Sequence, residues 1–127
     1  MKAKIKSIDL NNSIAFDDFK PENIENFSVW IAFSIGEENS NGSDLFLLNV
    51  CSPKWLIENT LTPTWGRHML ILNEYDRNTI KGTVSNYLES ITKDSWLSLA
   101  EEIGKFLAWE FEDYDDTFSM QDAQMGQ

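Results

Sequence analysis

The chain is poor in most of the residues that announce a particular chemistry. Its 127 residues include a single cysteine, Cys51, and a single histidine, His68. One cysteine excludes an internal disulfide and fits a reducing compartment. Cys51 also sits in an apolar run, where a thiol acts as a small hydrophobe and not as a nucleophile. No Cys/His zinc spacing, glycine-rich phosphate loop or dinucleotide fingerprint occurs. Asp113, Asp115 and Asp116 lie close together but lack the glycine and closing Glu of a calcium loop, so no metal site is expected. The first thirty residues hold no apolar stretch behind a basic start, and nothing approaches the roughly 20 apolar residues of a membrane span. A cytoplasmic location is expected. Positive charge is scarce too. Ten Lys and Arg stand against 21 Asp and Glu, a net charge of -11, and none of the ten lies beyond Lys105. That balance argues against nucleic acid or anionic membrane as a partner, and no basic aromatic platform is present. A basic protein partner is compatible with it.

What the chain has is enough apolar material for one core. A hydrophobic fraction of 42% and an aromatic fraction of 13% place it among globular chains and not disordered ones. One domain is expected over residues 1–116, with 117–127 as a flexible tail. Residues 2–9 alternate, Lys2, Lys4 and Lys6 opposite Ala3 and Ile5, as a half-buried strand does. Residues 10–25 read as a loop pinned by Phe16 and Phe19. Residues 27–35 show the clearest strand alternation, and residues 45–51 form a nearly continuous apolar run. The turn-rich residues 36–43 make these two an antiparallel hairpin. Ser52 and Pro53 suit the cap and first turn of a short helix over 54–59 that buries Trp55 and Leu56. A fourth strand is expected over 66–75. Helical spacing follows in 78–91, and again from a cap at Asp94 through Trp96, Leu97, Ala100, Ile103, Phe106 and Leu107. The order implies an α+β fold, an antiparallel sheet of about four strands with helices packed on one face, two of them C-terminal.

Two clusters carry chemistry. Residues 106–116 place Trp109, Phe111 and Tyr114 among Glu110, Glu112, Asp113, Asp115 and Asp116. Rings provide contact area and carboxylates provide attraction and steering, a composition suited to holding a basic partner. The same residues also fit aromatics that end a helix and enter the core, with the acids as its solvated edge. The second cluster is Trp65, Gly66, Arg67 and His68. His68 as base, with Arg67 and nearby carboxylates, would make a small acid-base hydrolase, the alternative reading. Against it, neighbouring strand residues point to opposite faces, and no Ser or Cys sits in a nucleophile motif. Arg67 is better suited to gripping Glu110 or Glu112 and fastening the fourth strand to the last helix. His68 reads as a satisfied, partly buried side chain.

Four segments then occur in one order: Lys-Ala-Lys-Ile-Lys-Ser-Ile at the start, Val50-Cys51-Ser52-Pro53-Lys54-Trp55-Leu56, Trp65-Gly66-Arg67-His68-Met69-Leu70-Ile71, and Trp109-Glu110-Phe111-Glu112-Asp113-Tyr114. This series resembles the immunity protein 8 family of bacterial polymorphic toxin and contact-dependent growth inhibition systems, over about residues 1–116. The resemblance implies a cytoplasmic antitoxin that binds the C-terminal toxin domain of a delivered effector and blocks it, with no catalysis and no cofactor. The toxins of such systems are often nucleases, whose positive substrate surface an acidic inhibitor can cover. The expected contact residues are Glu110, Glu112, Asp113, Tyr114, Asp115 and Asp116, with Glu37, Glu38 and Asp44 as a second set. Trp65, Gly66, Arg67 and Trp109 are expected to be scaffold.

Overall fold

The computed structural model describes residues 1–10 and 14–112. Strand β1 (Ala3–Leu10) carries an apolar set that changes phase, Ala3 and Ile5 followed by Ile8 and Leu10. A strict two-residue period cannot bring all four to one face. A β-bulge between Ile5 and Ser7 supplies the extra residue, so that Ile5 faces Ile35 while Ser7 faces Ser34. In β2 (Ser28–Glu37), Ile31, Phe33 and Ile35 are fully buried while Trp30 faces outward, about half exposed. Its hairpin with β3 (Asp44–Cys51) is antiparallel along the whole strand. Gly36 makes that hairpin possible, because a Cβ there would meet the Gly42 carbonyl oxygen at 2.0 Å.

Strand β3 is central. One edge pairs with β2; the other is shared end to end by two short strands. Strand β5 (Ala108–Trp109) pairs antiparallel with Phe46 and Leu47, and β4 (Met69–Ile71) pairs parallel with residues 49–51. The α+β architecture therefore holds, with the fourth strand running parallel to its neighbour. Helix α1 (Pro53–Asn59) and the loop after it carry the chain back before β4 begins, which is what a parallel pairing requires. β4 is also shorter than the expected 66–75. His68 has φ 57°, which breaks the extended backbone one residue before the ladder starts.

Ser52 Oγ caps α1 by accepting from Trp55 N–H at 3.3 Å, but none of the helix is fully buried, and Trp55 and Leu56 are only half-buried. Helix α2 (Arg77–Glu89) is capped by Asp76 and buries Ile80, Val84 and Leu88. Helix α3 (Trp96–Ile103) is capped by Ser95, not Asp94, and buries Leu99, Ala100 and Ile103. These stripes join the inward residues of β1, β2 and β3 in one core. The helix expected to run on to Leu107 ends at Gly104. Leu107 is buried and Phe106 is 56% exposed. The chain leaves the helix because the open edge of β3 at Phe46 and Leu47 offers hydrogen bonds that β5 completes. No helix among the described residues is long and apolar enough to cross a membrane. Cys51 is fully buried, and burial pushes its thiol pKa up, away from the reactive thiolate.

Candidate functional site

The open edge of β3 gathers both sequence clusters. Asp44 and Phe46 are two residues apart on β3 and so share a face. Asp44 Oδ2 accepts from Trp96 Nε1 at 2.8 Å and from Trp109 Nε1 at 3.0 Å. Phe46 lies between the same two indoles, stacked on Trp109 at 6.4 Å and edge-on to Trp96 at 6.5 Å. One carboxylate and one ring thus tie α3 and β5 to the central strand. Glu110 continues this ladder. Its N–H donates to the Leu45 carbonyl at 3.0 Å, and its Oε2 accepts from Leu45 N–H at 2.5 Å.

Beyond β5 the chain turns, with Glu112 N–H donating to the Trp109 carbonyl at 3.0 Å. This turn brings the Glu112 carboxylate to the Arg67 guanidinium, whose Nη2 donates to it. The pair joins the loop before β4 to the turn after β5, not to the last helix as expected, and Arg67 remains two-thirds exposed. His68, its side chain only 8% exposed, has Nε2 at 2.9 Å from the Gly104 carbonyl and 4.0 Å from Glu112 Oε1. A carbonyl can only accept, so Nε2 carries a proton and donates. The His68 carbonyl in turn accepts from Asn49 N–H at 3.0 Å. Nearby, Glu102 accepts from Lys105 at 3.1 Å, and that bond, with the charges of Lys105 and Lys93, holds its carboxyl below the usual range.

The expected contact residues fall into three groups. Glu37 and Glu38 close β2, and Glu110 and Glu112 follow β5. Because β5 runs antiparallel to β3, β2 and β5 both run out at the hairpin end, with Glu112 turned back from it to Arg67. Asp44 stands at the same end, but its carboxylate is turned to the two tryptophans. Asp113, Tyr114, Asp115 and Asp116 lie outside the described residues, as does the 117–127 segment. Among the expected scaffold residues, Trp109 is half-buried in the ring cluster. Trp65 is 92% exposed and buries almost nothing. It forms one wall of a groove of about 510 Å³ whose other side carries Phe106 and Lys105. Sequence reasoning missed Trp96 as a partner of Asp44, and missed Phe106 as a surface residue. The exposed Trp65 had one local signal, its place in a proline-containing loop.

Neither a curated protein nor a solved structure matches this chain significantly. The model of one family, immunity protein 8, matches residues 3–114. That span takes in every described strand and helix, the Asp44 cluster and the Arg67–Glu112 corner, and on it the chain belongs to the immunity protein 8 family.

Proposed function

We propose that this immunity protein binds the C-terminal toxin domain of a contact-dependent growth inhibition effector in the cytoplasm and blocks it by covering a basic active cleft, a nuclease cleft in the first instance. It works by occlusion and makes or breaks no bond. The observation that carries the reading is the placement of charge. Glu37, Glu38 and Glu110 leave one end of the sheet, Glu112 turns back to Arg67, and the acidic residues Asp113, Asp115 and Asp116 follow directly in the sequence, in a chain of charge -11. Strands spaced about 4.8 Å apart put the β2 and β5 ends roughly 10 Å from each other. Charges gathered over such a distance attract a basic partner together and speed its capture. The hydrolase alternative needs an accessible base at His68, whose side chain is only 8% exposed and whose ring is held on the Gly104 carbonyl.

The test is surface plasmon resonance against the inactivated C-terminal toxin domain of a cognate effector. Reversal of Asp113, Asp115 and Asp116 to Lys is expected to slow association about tenfold at low salt, with the difference shrinking at high salt. A folded triple variant with unchanged association removes the acidic end from the interface. Failure of the unaltered protein to bind that domain removes the whole reading.

A further inference from the structure

The groove beside Arg67 combines exposed aromatic rings with cations. Trp65 is 92% exposed and Phe106 is 56% exposed, and both line it. Rings of this size carry about 150–250 Å² each, so the two present roughly 300 Å² of aromatic surface to water. Apolar patches of a few hundred Å² on a single chain mark interaction sites. The groove also carries cations, Arg67 and Lys105, each about two-thirds exposed, on a molecule with twice as many acids as bases. Arg67 uses one guanidinium nitrogen on Glu112, and its fork has further N–H groups to offer.

The floor is held rigidly. His68 adopts a left-handed backbone at φ 57°, which costs a non-glycine residue about 1–2 kcal/mol. It is held there from both sides, its ring on the Gly104 carbonyl and its own carbonyl on Asn49. Such held conformations cluster at binding sites, and a surface fixed in advance loses less freedom on binding.

We infer that the Trp65–Phe106 groove is the specificity anchor for the toxin domain, receiving one apolar side chain of that domain and, on Arg67, a neighbouring carboxylate. This rests on the toxin-binding reading above and refines it. The acidic end attracts any basic protein, whereas the groove adds aromatic shape and the guanidinium N–H groups that Arg67 does not spend on Glu112, which discriminate among basic partners. Its place supports the same occupant, since the Arg67–Glu112 pair connects the groove directly to the acidic turn. A second copy of this chain is disfavoured as occupant by the repulsion between two molecules of charge -11.

Trp65→Ala is expected to speed dissociation from the inactivated toxin domain about 30-fold or more, as a central aromatic anchor does, with association within about twofold and little salt dependence. Its melting temperature should stay that of the parent, because Trp65 buries almost nothing. Arg67→Lys, which keeps charge but loses the fork, should weaken binding about tenfold. Fluorotryptophan NMR of the otherwise unaltered chain, with Trp65 assigned through Trp65→Phe, provides a readout free of folding effects. The Trp65 resonance should shift on saturation with the toxin domain. Binding by the parent together with an unmoved Trp65 resonance, or with unchanged dissociation of Trp65→Ala, overturns the anchor and leaves the toxin-binding reading standing. A resonance that responds only to protein concentration, or only to removal of residues 113–127, would give the groove to a second copy or to the chain's own C-terminal segment and overturns it too. No binding by the parent sinks both readings.

Discussion

Replacing Asp44 with alanine removes the one oxygen that accepts from both Trp96 and Trp109. A hydrogen bond to a charged acceptor contributes about 1.5–3 kcal/mol, and a half-buried donor left alone falls at the lower end because water can reach it. Two such bonds sharing one oxygen give a loss of about 2–4 kcal/mol. At about 3–5 °C per kcal/mol for a chain of this size, the melting temperature should fall by roughly 10 °C. Asp44→Asn keeps an acceptor oxygen but not the charge and should lose about half as much. Urea denaturation of both variants, alone and with Trp96→Phe, would measure it; the Asp44 and Trp96 effects should be non-additive by about 1 kcal/mol. The functional consequence is equally specific. The sequence marks Asp44 as a contact residue, and its geometry marks it as the clasp of α3 and β5. If it is the clasp, stability falls first and affinity for toxin follows only through unfolding. A stable Asp44→Ala variant, within about 0.5 kcal/mol of the parent and weak in binding, would refute the reasoning.

Two further outcomes follow from named atoms. Tyr75 packs edge-on against Phe19 and Phe27, but its buried hydroxyl has no hydrogen-bond partner among the described residues. Tyr75→Phe should therefore leave the unfolding free energy unchanged or raise it by up to about 1 kcal/mol, and a loss would reveal a partner for the hydroxyl. Glu102 has its pKa lowered from 4.5, chiefly by the Lys105 hydrogen bond. A depressed folded-state pKa stabilises above the ordinary value and is lost as pH falls through the folded one. Thermal melts of Glu102→Gln should accordingly lie below the parent at neutral pH and converge with it well below pH 4.5; a gap that persists in acid contradicts the assignment.

Much of the fold was legible because its signals are local. Ser52 with Pro53 announces α1, the spacing of Ile80, Val84 and Leu88 announces α2, and the alternation around Ile31 and Phe33 announces β2. The phase change between Ile5 and Ile8 was in plain view but becomes a bulge only against β2. The candidate site was less legible. Residues 106–109 continue a helical apolar pattern, yet the chain abandons it, since the β3 edge offers paired hydrogen bonds that a longer helix would leave unmade. Arg67 and Glu112 were expected to meet, and they do so across a turn, not on a helix.

By itself the sequence determined the class, the order of elements as far as α3, the Ser52 cap and the excess of acid, because period, capping and composition depend on residues a few positions apart. Tertiary structure alone decided that β4 runs parallel, that Asp44 turns inward to two indoles and that Trp65 stands in water. Each of these depends on which distant segment reaches the free edge of β3, and on where the loop after α1 is left once that edge is filled.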